Sequence, residues 1–111
     1  MTDKIVILNT CPSEEEAERL ARLLVDSRLA ACVSIIPRTR SFYHWKGAIE
    51  CAEEFLLLIK SRRDLFDSVR TCVEGAHSYE VPELLAIPVV EGAANYMSWL
   101  ENSLCGPAEG G

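Results

Sequence analysis

The sequence predicts an α+β fold, an antiparallel sheet with helices on one face and a short helix added at the C-terminal end. Three observations carry this. Four apolar runs of strand type, Ile5–Leu8, Ala31–Ile36, Phe55–Ile59 and Leu84–Val90, are separated by two segments of helical periodicity. The second and third runs flank an aromatic-rich section, Phe42, Tyr43, His44 and Trp45, that turns at Lys46-Gly47. The resulting order, β-α-β-β-α-β plus a helix, is the split βαβ or ferredoxin-like arrangement.

Ile5-Val6-Ile7-Leu8 is a continuous apolar run, as expected of a central strand. Asn9-Thr10-Cys11-Pro12 ends it. Ser13 precedes Glu16 by three residues, which predicts a capping box, and Glu14, Glu15 and Glu16 suit the positive end of a helix dipole. Ala17, Leu20, Ala21 and Leu24 give that helix its buried stripe, up to about Ser27.

A long hairpin follows. Gly47 supplies the positive φ that a tight turn requires. From Ile49 to Lys60 the third strand has 12 residues, a span of roughly 40 Å at about 3.3 Å per residue. The longest helix elsewhere, 15 residues, reaches only roughly 22 Å. The hairpin therefore overhangs any helical layer that one chain can lay upon it. Association with further copies is the simplest cover for its tip, in a closed homo-oligomer with the sheets facing inward.

Ser61-Arg62-Arg63-Asp64 offers a second capped helix start. Leu65, Phe66, Val69, Cys72 and Val73 form the apolar face, and Gly75 is the expected stop. Ala76–Glu83 reads as a polar loop. In the run Leu84–Val90, Pro88 cannot donate to a ladder, so the strand lies at an edge or changes partner. Tyr96, Met97, Leu100 and Leu104 predict a last helix over about Ala93–Ser103. Residues 1–104 form a single domain, and 105–111, with the ending GPAEGG, form a disordered tail.

A chain of 111 residues, 49% hydrophobic and 25% charged, can bury one core without staples. Its net charge of −6 argues against a nucleic-acid surface, which needs clustered Lys and Arg. No apolar stretch approaches the ~20 residues of a membrane span. The five cysteines, Cys11, Cys32, Cys51, Cys72 and Cys105, form no CxxC. An odd number without a secretory signal reads as reduced thiols in a soluble, cytoplasmic protein.

Several blocks then resemble the CutA divalent-cation tolerance proteins. These are Leu29-Ala30-Ala31-Cys32-Val33, Ile35-Ile36-Pro37, Ser41-Phe42-Tyr43 with Trp45 and Gly47, Leu56-Leu57-Leu58-Ile59-Lys60, His77 with Tyr79-Glu80-Val81-Pro82-Glu83, and Tyr96 with Trp99-Leu100. The resemblance covers roughly residues 4 to 104. It implies a homotrimer of ferredoxin-like subunits with paired hairpins, a role linked to copper and other divalent cations, and no defined reaction. Copper ligation in the family resembles a Cys at the end of the first strand with neighbouring loop histidines. Those positions here read Asn9, Ala76 and His77, so only His77 carries over. The family's His-Pro-Tyr is His77-Ser78-Tyr79 in this chain.

His77 can ligate Cu(II) or Zn(II) through its imidazole, with further ligands from Glu80, Glu83, Cys11 or another subunit. The plainer alternative is a loop histidine hydrogen-bonded to backbone. Tyr43, Trp45, Lys60 and Tyr79 could converge with His77 on an intersubunit cleft for a small ligand. Alternatively Tyr43 and Trp45, with Trp99, are trimer contacts. No nucleophile–base signature and no phosphate-binding loop is present, so catalysis is not expected. No cofactor is required. Three functions remain open: a trimeric cation-tolerance protein, a trimeric module binding a small metabolite, and a structural trimer that organises a protein partner.

Overall fold

A computed structural model describes residues 2–106. Strand β1 (Lys4–Cys11) leads to helix α1 (Glu14–Asp26), and strands β2 (Cys32–Trp45) and β3 (Ala48–Arg62) form the long hairpin. A 3-10 turn, Arg63–Leu65, enters helix α2 (Phe66–Ala76), followed by strand β4 (Leu85–Pro88) and helix α3 (Ala94–Ser103). The sheet order is β2-β3-β1-β4, and all neighbours are antiparallel. This is the α+β arrangement that the run order predicts.

Alternation along β1 and β3 builds the core. Ile5, Ile7, Leu57 and Ile59 point to one face, where Ala17, Leu20 and Leu24 of α1 and Val69 and Val73 of α2 close over them. On the opposite face, Val6 pairs with Lys60 and Ile87, and Leu8 pairs with Leu58 and Leu85. Leu85 and Ile87 remain exposed there.

Helix α3 covers one end of the sheet. Leu100 and Leu104 pack with Ala31 and Leu65. The Glu101 carboxylate takes Lys4 Nζ at 2.9 Å and Arg62 at 3.0 Å. The buried Arg62 also donates to Asp64 at 2.7 Å and to the Cys105 carbonyl at 3.0 Å. The Cys105 N–H donates to the Arg28 carbonyl. The tail expected from residue 105 therefore starts on an anchored residue, and residues 107–111 lie outside the described ones.

The hairpin exceeds its expected length, with 15 residues in β3. The molecule measures 48 × 25 × 21 Å, with a radius of gyration of 14.7 Å, against about 13 Å for a compact chain of this size. Lys46 (φ 52°) and Gly47 (φ 84°) both take left-handed conformations, the pattern of a two-residue hairpin turn matched to strand twist. Between Ile36↔Leu56 and Thr39↔Glu54, Pro37 and Arg38 oppose a single residue of β3. This bulge switches the alternation of β2. Thr39, Ser41, Tyr43 and Trp45 thus share the face of Glu54, as Ile36 shares that of Leu56.

Three local expectations need correction. Ser61 does not cap α2; it is the penultimate residue of β3, and its hydroxyl donates to the Leu29 carbonyl. Gly75 does not stop α2, which continues to Ala76, because the helix ends where His77 turns extended. Only half of the capping box forms: Ser13 Oγ accepts the Glu16 N–H at 3.2 Å, whereas the Glu16 carboxylate turns away to the loop after α2. Helix α1 instead closes on a non-glycine Schellman turn, with Arg28 at φ 61° and the Leu29 N–H donating to the Leu24 carbonyl.

Candidate metal centre and adjoining cleft

Three elements meet behind the end of β1. Cys11 is its last residue and faces the core, Glu16 lies in the first turn of α1, and His77 is the C-cap of α2. Their ligand atoms all lie within 4.8 Å of one another. Cys11 Sγ is 3.7 Å from His77 Nε2, and Glu16 Oε2 is 3.3 Å from His77 Nδ1. The cluster is closed to solvent: the Cys11 residue and the His77 side chain are fully buried.

Hydrogen bonds fix the imidazole. The Thr10 carbonyl, 2.7 Å from Nε2, can only accept, so Nε2 carries the proton. Nδ1 accepts the Tyr79 N–H at 3.0 Å. The Cys11 thiol donates toward Asn9 Oδ1 at 3.5 Å, and Asn9 Nδ2 donates to the Glu83 carbonyl. Burial, reinforced by the Glu16 carboxylate, pushes the Cys11 thiol up to about 12. For Glu16, burial opposes ionisation, but the hydrogen bonds from Ser78 outweigh it and hold the carboxyl below its usual range.

Histidine and cysteine therefore come together as candidate ligands, while Glu80 and Glu83 do not join them. Both glutamates line a neighbouring open cleft of about 600 Å³, with Thr10, Ser41, Phe42, Tyr43, Trp45, Glu54, Ser78, Tyr79 and Val81. Tyr43, Trp45 and Tyr79 thus share a cleft within a single chain. Lys60 lies elsewhere on the sheet, and its ammonium donates to Ser34 Oγ at 2.9 Å with Cys32 Sγ at 3.7 Å. Trp99 sits on α3 and packs against Tyr96, with ring centroids 5.5 Å apart.

Two residues escaped the sequence reading. Glu16 looks like an ordinary helix-dipole acid, and nothing local marks the long-range hydrogen bond that diverts it. Glu54 is only 6% exposed and accepts the Tyr79 hydroxyl at 2.7 Å. Burial, then this bond to a carboxylate, raises the Tyr79 phenol above its ordinary value. Its signal was available: an acid stands directly before the apolar run Phe55–Ile59.

A profile of the family described as "CutA1 divalent ion tolerance protein" matches residues 5–103. The divalent-cation tolerance protein CutA of Pectobacterium atrosepticum is 42% identical over 104 residues, 94% of each chain. A solved structure of the divalent cation tolerance protein Cut A1 of Thermus thermophilus superposes with a TM-score of 0.88 at 42% identity, covering 91% of this chain and 98% of its own. CutA of Xylella fastidiosa gives 0.90 at 37% identity, covering 93% and 99%. The chain spans nearly all of these bacterial proteins but only 66% of the zebrafish CutA homologue and 51% of the human protein. The rice and Arabidopsis thaliana relatives are described as chloroplastic, and CutA from Archaeoglobus fulgidus as periplasmic. With the profile spanning residues 5–103 and these structures superposing over more than nine-tenths of it, the chain belongs to the CutA1 divalent ion tolerance protein family.

Proposed function

We propose that this protein is a non-enzymatic binder of thiophilic divalent cations, copper or zinc, and that its metal ligands are Cys11 and His77 with Glu16 behind them. The observation that carries this is the 3.7 Å approach of Cys11 Sγ to His77 Nε2, with a carboxylate on the other ring nitrogen. A thiolate and an imidazole form a donor pair suited to copper or zinc and poorly suited to magnesium or calcium. Glu16 occupies the position of the carboxylate that accepts the second ring proton of a metal-bound histidine. A bound ion would be held by the Cys11 thiolate and His77 Nε2; the ring proton would then sit on Nδ1, 3.3 Å from Glu16, in place of the Tyr79 N–H bond. Glu80 and Glu83 take no part in this site.

The test is a calorimetric Zn(II) titration of the reduced protein, with Mg(II) as control, beside Cys11→Ser and His77→Ala. Saturation near one ion per chain, lost in both variants, supports the reading. Equal weak uptake by all three proteins rejects it.

The assembly we propose is a homotrimer. Supporting it are the exposed Leu85 and Ile87 on the open sheet face, the exposed Phe42 and Ile49 on the overhanging hairpin, and Trp99 beside Tyr96 on α3. In that assembly a neighbouring hairpin would border the cleft at Tyr43 and Trp45. The free thiols suit a reducing compartment, which we take to be the cytoplasm. Among the described residues, no helix is long and apolar enough to cross a membrane.

A further inference from the structure

We propose that the cleft between the hairpin and the loop after α2 is a binding site for a small organic ammonium ion. The charged side chains lining it are Glu54, Glu80 and Glu83, with no basic residue among them. An anionic metabolite would meet three carboxylates and no counter-charge. Its aromatic wall comes from Tyr43, Trp45 and Tyr79. Aromatic faces attract an ammonium group through the ring quadrupole, most strongly where water is excluded.

Glu54 is the residue that makes this a built site. Its residue exposure is 6%, and the Tyr79 hydroxyl satisfies only Oε2. Among the described residues, no buried side-chain nitrogen or oxygen lacks a hydrogen-bond partner. Oε1, which has no donor among the described residues, therefore keeps some solvent access, and Glu54 lines the cleft. A largely desolvated carboxylate with one free oxygen is a strong acceptor for a charged donor or a close counter-ion. The bulge at Pro37–Arg38 creates the arrangement. It shifts β2 by one residue and brings Tyr43 and Trp45 onto the face that carries Glu54.

Lys60, which might have supplied a positive end to the cleft, is spent on Ser34. The ligand class follows: a cation of volume well under 600 Å³, with an apolar or N-alkylated head against the rings and its charge toward Glu54. The site shares no ligand atom with the Cys11–His77 cluster, so it stands or falls independently of the metal reading.

The experiment titrates the assembled, metal-free protein with choline and with its neutral carbon isostere, 3,3-dimethylbutan-1-ol, following amide and indole shifts by NMR. Wild type, Glu54→Gln, Trp45→Ala and Tyr43→Phe are compared, with light scattering on each sample to follow assembly. The expected result is saturable choline binding that shifts the Trp45 indole, with the isostere at least about tenfold weaker. Glu54→Gln, which keeps an acceptor for Tyr79, should weaken choline by about tenfold or more, the factor that corresponds to 1.4 kcal/mol. Trp45→Ala should weaken it by several fold, and Tyr43→Phe, which keeps the ring, should bind as wild type. Equal binding of choline and its isostere overturns the proposal, as does an unchanged Glu54→Gln affinity or no saturable choline response. A Zn(II) titration of Glu54→Gln should match wild type, so failure here leaves the metal site separately testable.

Discussion

The Sγ of Cys11 lies 3.7 Å from Nε2 of His77, although the two are 66 positions apart in the chain. One is the last residue of β1 and the other caps α2, so their distance is set by how both elements pack on α1. A thiol and an imidazole fully enclosed at that distance are either core filling or a cation site waiting for its protons to leave. Both ring nitrogens meet backbone groups, of Thr10 and Tyr79, as in a hydrogen-bonded loop histidine; the proposed cation site rests on Cys11 and on Glu16, a carboxylate 3.3 Å behind the ring.

The raised Cys11 thiol makes a signed prediction about alkaline stability. Unfolded, the thiol ionises near its ordinary 9.0; folded, only near about 12. Between those values the folded chain holds more protons, so its stability must fall as pH rises through that window. The steepest slope is about 1.4 kcal/mol per pH unit, and the term is fully present below pH 9. Urea unfolding at pH 8 to 11 should show this decline in wild type and its loss in Cys11→Ala. Identical pH profiles would contradict the assignment.

Glu101 joins α3 to the sheet. Replacing it with Ala leaves Arg62 with Asp64 and the Cys105 carbonyl, and leaves Lys4 with Asp3. Removing one partner of a fully buried pair costs about 3–5 kcal/mol. Because Glu101 is itself about a third exposed, Glu101→Ala should cost less, about 2 kcal/mol. Denaturant unfolding checks the figure, and hydrogen exchange should show α3 loosening first.

Gly47 at φ 84° takes a conformation that a Cβ strains, and Lys46 at φ 52° already carries that strain. Gly47→Ala should destabilise by about 1 kcal/mol, while Lys46→Asn should stabilise by a few tenths. Both effects are read from urea midpoints at constant slope.

Light scattering at micromolar concentration should return three times the chain mass. Leu85→Glu, an edge-strand charge on the open face, should shift that mass downward; a monomeric wild type would reject the proposed assembly.

Much of the fold was legible because its signals are local. The capped, periodic stripe of α1, the apolar run of β1 and the Lys46-Gly47 turn each decide their own element. Pro88 rightly marked an edge strand. What was not legible depends on distant partners. Ser61 looked like a cap, but its hydroxyl serves Leu29, 32 residues earlier. Glu16 looked like the second half of a capping box, yet the Ser78 N–H, 62 residues away, captures it. His77 and Cys11 were both named as ligand candidates, but their company was not, since Glu80 and Glu83 face the cleft. Lys60 could not be placed without the register that sets it opposite Cys32.

The most direct test of the cation site is a Co(II) titration of the reduced protein, monitored by absorption. Cobalt takes the same donors as zinc and, unlike zinc, reports a bound thiolate through a charge-transfer band. This band should saturate at one equivalent per chain, with about one proton released per ion, and should disappear in Cys11→Ser and in His77→Ala. A spectrum with no thiolate band, or one that persists unchanged in both variants, would contradict it.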